Sequence, residues 1–339
     1  MRRLNDERGA TAVFVGILIL VLFGLAAMVI DVGNGFWERR MLQNSADAAA
    51  IAAAQDFVVG ESATAEATAR DFADANNPRG AFVEEFLPEA NSVTVVTKTG
   101  DSPEARLQSW LASIIGHDDY FARARARAAW GILGGGITIP IAICERNWDY
   151  FTEDGKKIPS GPPAHLVEFA VPNPAAQPVA DYQDCSNPSF DTYPGGFGFL
   201  ERDADCMATT YVEGDGTWVD GSPGNNAVDP HSSCGSSQLF QMLRDIIDND
   251  KTVLIPIFDA FEGSGEAGRF RLVGYGAFKL EGYKILAATG GQNSYGMDPG
   301  ECSGPKSCLK GYYEYWVDLG AEDLDGGTDF GAYGVRLTH

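Results

Sequence analysis

The stretch Ala10 to Ile30, ATAVFVGILILVLFGLAAMVI, carries no charge and almost no polarity, and it limits what this chain can become more than any other feature. As an α-helix rising about 1.5 Å per residue it is long enough to cross a hydrocarbon core of about 30 Å. Only a helix leaves no backbone N–H or C=O unpaired in such surroundings. Arg2, Arg3 and Arg8 precede the stretch, Asp31 follows at once, and the remainder is polar and acidic. The expectation is a single-pass membrane protein with residues 1–9 as a cytoplasmic tail, residues 10–30 as the transmembrane helix and the long C-terminal part outside. The positive-inside bias is thinned by Arg39 and Arg40 beyond the other end. A cleaved secretory signal is the rival reading, but its apolar core would span about 7–15 residues and follow a basic start. Here the run is longer, and RRLNDERG mixes both signs.

Cysteine usage agrees with an outside location. Cys144, Cys185, Cys206, Cys234, Cys302 and Cys308 all lie far downstream, even in number and with no CxxC pair. That pattern reads as three disulfides formed in an oxidising compartment. Reduced buried thiols are the alternative, and zinc is disfavoured by the missing short ligand spacing. Cys302 with Cys308 is the expected local bridge, and the other pairings stay open. The formal net charge of −22 argues against nucleic acid, or an anionic lipid surface, as the main partner of the outer part.

Beyond Asp31 the helical pattern continues. FWERRMLQNSADAAAIAAAQDF contains no proline and is rich in helix formers, so residues 31–57 read as an extracytoplasmic stalk, collinear with the span and jointed at Gly33 and Gly35. Trp37 suits a membrane interface. Ala46, Ala49, Ala50 and Ala53 give the stalk a small-residue face, and Ala12, Gly16 and Gly24 mark helix-packing positions within the bilayer. These faces serve either a partner helix or the chain's own domain. Residues 58–133 read as a small helix-and-strand layer. In it Ala65, Ala69, Phe72 and Ala73 share one helix face, Ser92 to Lys98 is a strand, and Ser102 to Gly116 is a capped helix. Tyr120 to Trp130 alternates Ala122, Ala124, Ala126 and Ala128 with Arg123, Arg125 and Arg127, the period of a strand. Beyond Gly134-Gly135-Gly136, residues 137–339 read as a β-rich, disulfide-containing domain. Its expected strands are Ile137 to Cys144, Thr252 to Asp259, Phe270 to Leu280, Tyr283 to Ala288, Tyr312 to Leu319 and Ala332 to Leu337, with one helix at Leu239 to Ile247. The fold class is α+β.

The string Arg8 to Ala54, with Arg8-Gly9, the apolar span, Asp31 and Leu42-Gln43-Asn44-Ser45-Ala46-Asp47-Ala48-Ala49-Ala50, resembles the N-terminal segment of the TadE/TadG-like proteins of Flp (Tad) pilus assembly. The position of the pseudopilin glutamate falls on Phe14, so that processing signal is missing, and no DxSxS metal triplet is found. The resemblance implies a membrane-anchored accessory or minor component of a pilus machine, with other Tad assembly proteins and the lipid bilayer as partners.

Catalytic groupings are sparse. The four histidines are His117, His165, His231 and His339; there is no GxSxG elbow, no HExxH and no GxxxxGKS. No cofactor is expected. The acidic loops Asp215 to Asp220 and Asp318 to Asp329 have the donors that calcium accepts but not an EF-hand spacing, which favours solvated loops. A non-enzymatic role is the reading, against a tethered envelope-polymer hydrolase using a carboxylate pair, or an adhesin.

Overall fold

The computed structural model describes residues 8–108, 119–145, 148, 165–168, 199–221, 234–262, 268–286, 292–303, 307–319, 321 and 323–338. The chain divides into two units, residues 1–129 with 337–339, and residues 130–336.

The first unit begins with one unbroken helix, α1 (Arg8–Val58). Its 51 residues make it roughly 75 Å long. Gly33 and Gly35 do not interrupt it, because isolated glycines cost a helix only about 1 kcal/mol each. It ends where Gly60 takes up a positive φ of 82°, the left-handed turn that glycine accepts most readily. The second helix, α2 (Ala65–Ala75), buries Ala65, Ala69 and Ala73, as the spacing predicts. Phe72 departs from that expectation and is half exposed. The helix stops at Asn76, whose side chain donates to the Phe72 carbonyl.

Three strands complete the layer: β1 (Ala81–Pro88), β2 (Ser92–Thr99) and, after the two-residue β3 (Leu107–Gln108) and β4 (Asp119–Tyr120), β5 (Arg123–Ile132). β2 pairs antiparallel with both β1 and β5. Along β5 the alanines at 124, 126 and 128 are buried and the arginines at 123, 125 and 127 exposed, so the period-two reading of this segment holds. The expected helix from Ser102 does not form at its start. Leu107–Gln108 instead pair with Asp119–Tyr120, and Trp110, Leu111 and Ile114 lie outside the described residues.

The second unit contains β6 (Gly135–Thr138), β7 (Ile143–Cys144), β8 (His165–Glu168), β9 (Ala208–Tyr211), β10 (Thr217–Asp220), α3 (Ser236–Asp248), β11 (Thr252–Glu262), β12 (Arg269–Leu286), β13 (Gln292–Tyr295), β14 (Cys308–Glu314), β15 (Trp316–Leu319) and β16 (Ala332–Thr338). Its main sheet has the order β7-β11-β12-β14-β8, with β10 and β13 also on β12. β6 pairs with β9, and β15 runs parallel to β16.

Three sequence expectations are corrected here. Ile137 to Cys144 is two strands, since Pro140 has no N–H to give a ladder. Phe270 to Ala288 is one strand to Leu286, because the register shifts between Leu280 and Gly282 as a bulge rather than a turn. Tyr312 to Leu319 divides at Tyr315 into β14 and β15. The continuous apolar run of β11 is explained by burial on both faces. Val253, Ile255 and Ile257 join a cluster with Leu239 and Leu243 of α3, while Leu254 and Phe258 join another with Leu272 and Tyr275.

Candidate functional site

The part of this molecule that most needs explaining is the first half of α1. From Val13 to Ile30 every large apolar side chain is 45–74% exposed, a contiguous surface far beyond what a soluble monomer leaves in water. The helix is long and apolar enough to cross a membrane. Ala12 and Gly16 are exposed, and a Cβ added at Gly16 or Gly24 would meet no atom within 4 Å. The face these three residues mark is open.

The second half of the same helix is the opposite. Ala46, Ala49, Ala50 and Ala53 are all 0% exposed, in a helix that packs on α2 and β2. Small side chains let backbones approach closely, and polar groups confirm how near they are. Thr97 Oγ1 donates to the Leu42 carbonyl at 3.0 Å, and Gln43 Nε2 donates to the Arg125 carbonyl at 3.1 Å. Farther along, Phe57 stacks on Phe86 at 6.4 Å. The alanines thus seat the helix in its own unit.

Where the two halves meet, a charged group is buried. Glu38 is 0% exposed, and Arg79 Nη1 stands 3.5 Å from its Oε2. The same guanidinium lies over the Trp37 ring at 4.5 Å, a cation–π contact that holds it in place. Burial pushes the Glu38 carboxyl above its usual 4.5, against the opposing pull of Arg79 and of the Thr99 and Asn77 side chains. The folded chain therefore keeps this proton over a window just above pH 4.5 in which the unfolded chain has released it. Stability from this group falls as pH rises through that window, then levels off above the folded value. Glu38→Gln is expected to flatten that part of the stability–pH curve, measured by urea midpoints. Arg79→Gln is expected to cost about 1–3 kcal/mol at neutral pH, less than for a fully buried pair because the guanidinium is half exposed.

Two disulfides are in place, Cys206 with Cys234 and Cys302 with Cys308, the second as expected. Cys144 is also disulfide-bonded; Cys185 lies outside the described residues. So do His117, His231 and His339. Among the described residues no three His, Cys, Asp or Glu side chains gather as a metal site. In the acidic loops Asp323 and Asp329 cap the local backbone N–H groups of Asp325 and Gly331. A cavity of about 520 Å³ in the second unit is lined by Met207, Met242, Ile137, Asp205, Asp245 and Lys251.

Sequence reasoning missed Glu38 and Arg79. They are far apart in the chain, and no periodicity links a helix residue to a turn residue after α2.

An exposed apolar helix runs unbroken into a folded α+β unit, and a disulfide-bonded β unit follows. This architecture is consistent with a membrane anchor and an extracytoplasmic domain. Residues 9–56 match the family model described as Flp pilus-assembly TadE/G-like (Tad), over the same segment as the Arg8 to Ala54 string. No curated protein and no solved structure matches the chain.

Proposed function

We propose that this protein is a non-enzymatic, membrane-anchored accessory or minor component of a Tad-type pilus assembly machine. The observation that carries the reading is the coincidence of the family match at 9–56 with a helix that is exposed and apolar before residue 31 and buried in its own unit after residue 38. Residues 10–30 fix the chain in the inner bilayer, with residues 1–9 on the cytoplasmic side and the cysteine-bearing part outside. Ala12, Gly16 and Gly24, free of neighbours within the chain, let a partner helix approach closely in lipid, where packing rather than hydrophobic burial drives association. The outer units then present a protein-binding surface. A clean deletion is expected to reduce surface piliation, scored by electron microscopy, with restoration by the full-length chain. Normal pili in the deletion strain would sink the proposal. A surface adhesin would instead bind its ligand with pilus number unchanged.

A further inference from the structure

The contacts along α1 orient the first unit relative to the apolar span. Leu42 and Gln43 meet Thr97 and the Arg125 carbonyl, whereas Phe57, more than a dozen residues later, meets Phe86. In the sheet, Lys98 is opposite Arg123 at one end and Ser92 opposite Ala129 at the other. The end carrying Lys98, Arg123 and Ala81 is therefore the end beside the apolar span.

That end gathers cations around aromatic rings. Lys98 Nζ, the Arg106 guanidinium and the Arg123 guanidinium lie 5.0, 5.3 and 4.8 Å from the centroid of Phe121, whose ring is 43% exposed. Lys98 is buried and, like Arg106, donates to the Pro103 carbonyl; Glu84 pairs with Arg123, and Asp101 and Glu104 are exposed on the same loop as Arg106, so the exposed cations of this end are Arg39, Arg40, Arg79, Arg106 and Arg123. Arg79 on Trp37 adds a second such pair, and Arg39 and Arg40 are exposed on α1 at the same level. Trp37 lies roughly 9 Å past Asp31 along the helix axis, at the outer edge of a headgroup layer about 5–8 Å deep. Aromatic rings and basic side chains together are what that layer accepts.

We propose that this end of the first unit, built on the exposed side chains of Phe121, Arg106, Arg123, Trp37 and Arg79, is a docking surface for the anionic phospholipid headgroups of the bilayer in which α1 is anchored. It rests on the anchoring reading above. Although the chain as a whole is acidic, a surface this close to the bilayer responds to its local charges, because screening confines the lipid potential to about 8–10 Å. The docking fixes the tilt and height of the unit over the membrane, which one helix in lipid leaves free.

The test uses the full chain in nanodiscs of phosphatidylcholine alone or mixed with phosphatidylglycerol. One set carries a photoreactive group in the acyl chain and another carries it at the headgroup, and labelled peptides are mapped by mass spectrometry. Acyl labelling is expected at residues 13–30 in both compositions. Headgroup labelling of the peptides containing Arg79, Phe121 and Arg123 is expected to rise at least roughly fivefold with phosphatidylglycerol, the effect of about 1 kcal/mol per basic residue near the surface. Arg106→Gln with Arg123→Gln should return it to the phosphatidylcholine level without changing acyl labelling. For the unaltered chain, about 1 M salt, where the screening length drops to about 3 Å, should do the same. Headgroup labelling confined to residues 31–40, or indifferent to lipid charge and salt, overturns the docking surface while the anchor stands. Absent acyl labelling at residues 13–30 overturns the anchor itself, and this inference with it.

Discussion

Trp148→Ala is expected to destabilise the second unit by about 3–5 kcal/mol, the range for removing a buried large aromatic, and to lower its thermal midpoint by roughly 10 °C. The ring is only 2% exposed. It stands edge-on to Tyr313 at 4.5 Å and to Phe330 at 5.6 Å, and Tyr313 in turn stands edge-on to Phe278 at 5.0 Å. Such T-shaped pairs add to the area term. The ring also occupies the space over Gly276, where an added Cβ would come within 2.8 Å of it. Four aromatic rings and one glycine thus form a close-packed joint between β12, β14 and the segment before β16, and truncation leaves a cavity that neighbouring backbone cannot fill. Trp218→Ala, on half-buried β10 against Arg269, should cost under about 1 kcal/mol. Denaturant midpoints of the disulfide-intact protein separate the two; equal shifts would refute the core role given to Trp148.

Much of this fold can be read from the residues, and the reason is repetition. The Ala/Arg alternation of β5, the apolar run of β11 and the apolar stripe of α3 each repeat one pattern long enough to outweigh chance. β1 gave no such signal. Its AFVEEFLP sequence changes register between Val83 and Glu85, and a bulge there breaks the alternation that would have announced a strand. The segment after Ser102 misled for another reason. A good cap and an apolar stripe favour a helix locally, but at Leu107–Gln108 long-range pairing with Asp119–Tyr120 decides, as tertiary context often does over propensity. In the candidate site the exposed span and the alanine face were legible. The Glu38–Arg79–Trp37 contact and the cations around Phe121 were not, because both are assembled from separate turns brought together only by the fold.

Ala50→Leu combined with Ala53→Leu is expected to loosen α1 from its unit at a cost of about 1–3 kcal/mol per site, the usual penalty for overfilling a packed contact. The two positions are close in the helix, so their effects need not add. Both alanines are fully buried, and the backbone contacts at Leu42 and Gln43 leave β2 and β5 little room to retreat. The expected readout is a lower thermal midpoint for the first unit together with faster proteolysis near Gly60, where the helix ends. Membrane retention should be unchanged, because residues 10–30 are untouched. Gly16→Leu makes the contrast: nothing in the chain lies within 4 Å of that position, so the midpoint should stay where it is, while any association through the bilayer face weakens. If the alanine variants left the first unit as stable as before, the buried face could not be what seats the helix. Residues 46–53 would then be available to another chain.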